Sequence, residues 1–185
     1  VVVPSGSCGG MIRHHYAELF ADDPVLQAQA RELGGRVFEL TEFLVHVVNF
    51  NHQDLGADCT VALHTSCHAR RQMGSHETSA ALLETLDNVK VVQQARIEEC
   101  CGFGGTFSVK FGEVSAAIAE RKCDFIHASG APAVVGGDLG CLLNIEGRLR
   151  RRGADFPDGH CLRDRHRLRH RGWCGRHQRH QHRRR

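Results

Sequence analysis

The chain has 185 residues, 41% of them hydrophobic, with 24 Lys+Arg against 21 Asp+Glu and 9 cysteines. That length holds one domain of ordinary size, or one and part of another, and no apolar run of about 18 residues is present to span a bilayer. Val1-Val2-Val3-Pro4 lacks the basic head and apolar stretch of a secretory signal, so the cysteines point to metal or redox chemistry in the cytoplasm and away from a disulfide framework.

Val1–Val3 reads as a strand, Pro4-Ser5-Gly6-Ser7 as a turn, and "CGGMIRHHYAELF" as a helix. Asp22 and Asp23 before Pro24 mark the start of a second helix, "PVLQAQARELGGR", with acids at its positive dipole end. Thr41 is placed to cap "EFLVHVVNF", where Phe43, Leu44, Val47 and Val48 form one stripe. "CTVALH" (59–64) is a strand, followed by a turn with Cys67 and a helix near "HETSAALLETL". "VKVVQQ" (89–94) is the next strand, and "IEECCGFGGTFSVK" a loop rich in cysteine and glycine. The helix "EVSAAIAERKCDFIHAS" (113–129) stops at Gly130, "APAVVGGD" supplies a last strand and turn, and "GCLLNIEGRLRRRG" a last helix. Strands alternating with helices predict an α/β fold with a mostly parallel sheet flanked by helices.

From Asp158 the composition changes. The tail is rich in Arg and His, and it supplies the excess positive charge of a chain that is net negative up to Pro157. It reads as an out-of-frame translation of a GC-rich gene; a nucleic-acid or metal-binding arm is the other reading. Cys161 and Cys174 lie in it and are assigned no role.

"VVVPSGSCGGMI" and "AVVGGDLGCLLNI" share a plan: a Val-rich strand, a turn of small residues, then a cysteine at a helix start. This suggests a duplicated unit whose first copy is truncated, because Cys8 ends a unit whose earlier parts would precede Val1.

Adjacent cysteines seldom bridge each other, because disulfide geometry separates the two Cα atoms. Cys67, Cys100, Cys101 and Cys141 all follow predicted strands, and in a parallel sheet those loops gather at one edge. Four converging thiolates suit zinc or an iron–sulfur cluster. The vicinal pair favours the cluster, whose several irons accept neighbouring thiolates separately. Gly102, Gly104 and Gly105 would let the backbone approach such a core, with N–H groups aimed at its sulfurs. His64 and His68 flank Cys67 and could ligate, carry protons or hydrogen-bond sulfur, or be polar filler. His14 and His15 could face the same cleft, and Arg70 and Arg71 could grip a carboxylate substrate. Cys59 and Cys123 read as core residues.

These stretches ("CCGFGGTFSVK", "HTSCHARR", "PSGSCGGMIRHHY" and "GGDLGCLLNIEGRL") resemble the lactate utilisation protein A family over about residues 1 to 156. That family belongs to the group with cysteine-rich CCG domains that includes a component of heterodisulfide reductase and the iron–sulfur subunit of glycolate oxidase. The resemblance implies two CCG units and an iron–sulfur cluster of the 4Fe–4S kind. It further implies electron transfer in the oxidation of a 2-hydroxy acid, L-lactate, to pyruvate, with partner iron–sulfur subunits and no nucleic acid. It makes Cys67, Cys100, Cys101 and Cys141 the ligands of the second unit and Cys8 the last ligand of the first. Residues 1–50 would then be the remnant of the first unit, 51–156 the second unit and 157–185 the basic tail. The sequence departs from the wider pattern, which ends in C-x-x-C: Asp138 stands three before Cys141 and Ser5 three before Cys8. A zinc-stabilised structural subunit, or a thiol–disulfide oxidoreductase using Cys100 and Cys101, are the alternatives.

Overall fold

A computed structural model describes residues 1–50 and 56–152; the expectations for the basic tail fall outside the described residues. Strand β1 (Val2–Val3) leads into helix α1 (Gly6–Gly10), a π-helical turn (Met11–His15) and α2 (Tyr16–Leu19). Helix α3 (Pro24–Gly34) follows, then β2 (Phe38–Glu39) and α4 (Leu40–His46). Next come β3 (Cys59–His64), a second π-helical turn (Ala69–Met73), α5 (Ser75–Glu84) and β4 (Val89–Val92). Helices α6 (Thr106–Lys110) and α7 (Gly112–Ala128), strand β5 (Ala133–Gly136) and α8 (Leu139–Arg151) complete the described chain.

The expected α/β architecture is present. β4, β3 and β5 form a parallel sheet in that order, with Val61 opposite both Val91 and Ala133, and His64 opposite Gly136. β3 lies in the middle, and Val61 to His64 are all buried, as expected of a central parallel strand covered on both faces. β1 and β2 form a separate parallel pair. No helix among the described residues is long and apolar enough to cross a membrane.

Asp23 caps α3 as its position suggests, its carboxylate accepting from the Val25 and Leu26 N–H groups at 3.0 Å, with Pro24 in the first turn. The expectation for Thr41 needs correction. The cap of α4 is Glu39, whose carboxylate accepts from the Thr41 N–H at 2.8 Å, while the Glu42 carboxylate accepts from the Glu39 N–H at 3.1 Å. β2 runs straight into α4, so the non-helical position falls at its last residue, and the longer Glu side chain reaches the free donors that Ser or Thr usually satisfies. The predicted apolar stripe also ends early: α4 stops at His46, and Val47 and Val48 are exposed.

Cys101, Cys123, Ile126, Val134, Cys141, Leu142, Ile145 and Leu149 form one buried cluster where α7, α8 and β5 meet. Two of the site thiols are therefore part of the core. Cys123 is fully buried, its thiol facing the Ile145 carbonyl, as the helix period predicted. The amino-terminal elements approach the Cys67 turn closely. A Cβ on Gly6 would lie 2.6 Å from the Ala69 backbone nitrogen, and Gly10 faces Gln72 in the same π-helical turn.

Ile145→Ala should cost about 2–5 kcal/mol in denaturant unfolding, whereas Leu143→Ala, on the exposed face of α8, should stay within about 0.5 kcal/mol. Equal losses would mean that the α7–α8 seam is not the core.

Candidate metal centre

Because the sheet is parallel, the turns after β3, β4 and β5 leave it at one edge. The turn after β3 carries Cys67, the loop after β4 carries Cys100 and Cys101, and the turn after β5 carries Cys141 at the start of α8. The thiols are near enough to shift one another's ionisation in succession: Cys67 with Cys100, Cys100 with Cys101, and Cys101 with Cys141. The ligand atoms of His64, Cys101 and Cys141 all lie within 4.8 Å of one another.

The Cys100–Cys101 loop is held from several sides. The Ile97 carbonyl accepts from Lys122 Nζ at 3.0 Å, and the Glu99 carboxylate pairs with Arg121 at 3.0 Å. The Cys101 carbonyl accepts from Asn144 Nδ2 at 2.8 Å, and the Gly102 carbonyl from Ser115 Oγ at 2.7 Å. Gly102 is required here: its φ is +82°, and a Cβ would sit 2.5 Å from the Ser115 carbonyl oxygen. Its N–H points at Cys100 Sγ (3.3 Å), and the Phe103 N–H at Cys101 Sγ (3.4 Å). The backbone thus offers donors to sulfur, from Gly102 and Phe103. Gly104 and Gly105 also have positive φ and carry the chain into α6.

The electrostatics follow from crowding. The Cys101 and Cys67 thiols both donate to Cys100, and with the Gly102 N–H they pull its pKa down to about 2. The donors are pushed up, because each would lose that bond and face a neighbouring anion on ionising. The metal-free array therefore holds one negative charge readily and resists more. His64 is buried, and burial together with the nearby Lys122 cation lowers its pKa to about 3, leaving a neutral ring. Neither ring nitrogen has a hydrogen-bond partner among the described residues.

Lys122 was not anticipated from the sequence. It lies on the buried face of α7 beside Cys123, and burial lowers its pKa to about 8 against the opposing pull of Cys101, Glu98 and Glu99. A helical wheel places it with Ala119 and Ile126, and a charged residue on that face was the available signal.

The remaining candidates occupy distinct places. His68 Nδ1 lies 3.4 Å from Cys67 Sγ. Asp138 is buried at the N-cap position of α8, where its side chain makes no capping bond and its Oδ1 instead accepts from Ser5 Oγ at 2.6 Å. Ser5 stands at the N-cap position of α1, three residues before Cys8, also without a capping bond, so the two matching positions of the shared plan touch. Cys8 itself is exposed and outside the group formed by His64, Cys101 and Cys141. His14 and His15 both reach Gln72, and Arg70 donates to Thr65 Oγ1. These contacts tie the histidines and Arg70 to the turns around Cys67.

The donor set fits a thiophilic metal or an iron–sulfur cluster: neighbouring sulfurs, N–H groups aimed at two of them, and a buried imidazole without a partner among the described residues. Among known proteins, residues 61–146 match the cysteine-rich domain family termed CCG. The chain is 43% identical over 162 residues to lactate utilization protein A of Macrococcus caseolyticus, covering 88% of this chain and 66% of that protein. It is 46% identical over 162 residues to lactate utilization protein A of Shouchella clausii (86% and 66% covered) and 41% identical over 155 residues to that of Lysinibacillus sphaericus (83% and 67%). The chain thus spans about two thirds of the length of these relatives.

In metal-free, reduced protein, Cys100 should be alkylated first, at a rate nearly constant from mildly acidic to neutral pH, because its thiolate is already formed. Cys123, whose pKa burial pushes up to about 11, should resist until the protein unfolds. Peptide mass spectrometry after timed iodoacetamide quenches checks both. A Cys100 rate that climbs with pH like that of a free thiol would contradict the shared-proton array.

Proposed function

Because the chain belongs to the lactate utilisation protein A family, we propose that it is an iron–sulfur protein passing electrons in the oxidation of L-lactate to pyruvate. The observation that carries this reading is the gathering of four thiols from three loops at one sheet edge, with Cys101 and Cys141 beside His64. Cys67, Cys100, Cys101 and Cys141 would hold a 4Fe–4S cluster, which when bound supplies a site that takes up and releases one electron.

The chain's own groups prepare that site. Hydrogen bonding biases Cys100 toward its anion, and thiols that bind metal lose their protons, so loading releases acid. The Gly102 and Phe103 N–H groups stabilise negative charge on Cys100 and Cys101, and the buried Lys122 ammonium offsets charge beneath the loop. The core around Cys101 and Cys141 keeps water from that side of the site.

Oxidation of lactate to pyruvate yields two electrons and two protons, so a one-electron relay needs partners. Those partners are the further iron–sulfur subunits of a cytoplasmic lactate oxidation complex, of which this chain would be one component. Cys8 would end the ligand set of a companion unit, with residues 1–50 as its remnant and 51–156 as the complete one.

A zinc-stabilised structural subunit is the second reading, because His64, Cys101 and Cys141 lie close enough to serve one ion. Anaerobic purification with iron, zinc and acid-labile sulfide assays separates the two. The cluster reading expects iron and sulfide in similar amounts with visible absorbance. In that protein, Cys101→Ser should lose the colour and most of the iron, and Cys123→Ser should keep both. Zinc without iron or sulfide would favour the structural reading, and equal bleaching by Cys123→Ser would overturn the ligand set.

A further inference from the structure

We infer that His64 is itself a ligand: one of its ring nitrogens binds a metal atom of the centre that Cys101 and Cys141 help to hold. The inference rests on the cluster reading for the rest of the site, but its own basis is separate. His64 ends β3, paired in register with Gly136 of β5, and that pairing fixes its backbone at the sheet edge from which the cysteine loops leave. It is 1% exposed, and neither ring nitrogen has a hydrogen-bond partner among the described residues.

A neutral imidazole carries one donor and one acceptor. Leaving such a group buried and unsatisfied is costly, so a position of this kind calls for a partner beyond the described protein groups around it. A ring nitrogen lies within 4.8 Å of both the Cys101 and Cys141 sulfurs. That spacing puts the imidazole within reach of a metal atom held beside those two sulfurs.

The chemical consequence is specific. Imidazole is neutral where thiolate is anionic, and replacing thiolate by imidazole raises the reduction potential of an iron–sulfur centre. His64 would make this centre a better electron acceptor than one bound by cysteines alone, a property suited to taking electrons from a 2-hydroxy acid.

The test is pulsed electron paramagnetic resonance on the anaerobic, reduced, iron-loaded protein grown with 15N-histidine, in wild type, His64→Ala and His68→Gln. The inference expects strong coupling from a directly bound nitrogen in wild type, kept in His68→Gln and absent in His64→Ala. A His64→Cys variant should retain iron and show a lower midpoint potential, and it provides the comparison if His64→Ala does not fold. Iron and sulfide present with no nitrogen coupling, or with only the weak coupling of a hydrogen bond, would overturn the inference while leaving the cluster reading intact. Coupling lost in His68→Gln would overturn it too. If no iron or sulfide is taken up, the cluster reading fails, and cobalt(II) alone then decides for His64. Thiolate-to-cobalt bands with a bound histidine nitrogen would sustain it, and cobalt bound without nitrogen, or not bound, would reject it.

Discussion

The parallel alignment of β4, β3 and β5 is the constraint on which this molecule depends. Three loops far apart in sequence leave the same edge only because their strands run the same way, and only there can Cys67, the Cys100–Cys101 pair and Cys141 gather. An antiparallel neighbour would carry its cysteine to the opposite edge. Convergence has an electrostatic cost, since adjacent thiols cannot all ionise in the absence of a cation. The fold meets part of that cost with the Gly102 and Phe103 N–H groups and with Lys122, whose ammonium is anchored on the Ile97 carbonyl. A bound metal cation would meet the rest.

The same residues serve stability and chemistry. Cys101 and Cys141 belong to the buried cluster with Ile126, Leu142 and Ile145, so the site is built into the α7–α8 seam and moves with it. The hydrogen bonds from Asn144 to Cys101 and from Ser115 to Gly102 make each of those helices a clamp on the cysteine loop. A loop fixed in this way holds its sulfurs near their working positions before metal arrives, which lowers the ordering cost of binding.

Much of this was legible in the residues. β3 appears at the positions that its apolar run marks, and the alternation of strands and helices implies the parallel order that gathers the cysteines. What escaped detection was either too short to show a period or depended on distant partners. β2 is two residues long, and its pairing with β1 is visible only in three dimensions. Glu39 caps α4 because a strand ends beside it, which no local pattern reveals. Lys122 stands on the apolar face of α7, but the partner that holds it there, the Ile97 carbonyl, comes from a loop 25 residues away. The contact of Ser5 with Asp138 spans 133 residues, and no spacing rule predicts which carboxylate oxygen is occupied.

The glycine contact between α1 and the turn after Cys67 reaches beyond packing. Gly6 lets α1 lie so near Ala69 that any larger residue must push one of them aside, and two residues before Ala69 stands the first sulfur of the array. Residues 1–50 lend none of the four clustered thiols, yet they act as a jig that sets where Cys67 is presented. A change as small as a methyl group at Gly6 would then be felt as weakened grip on metal, in a segment that local inspection would regard as remote from the chemistry.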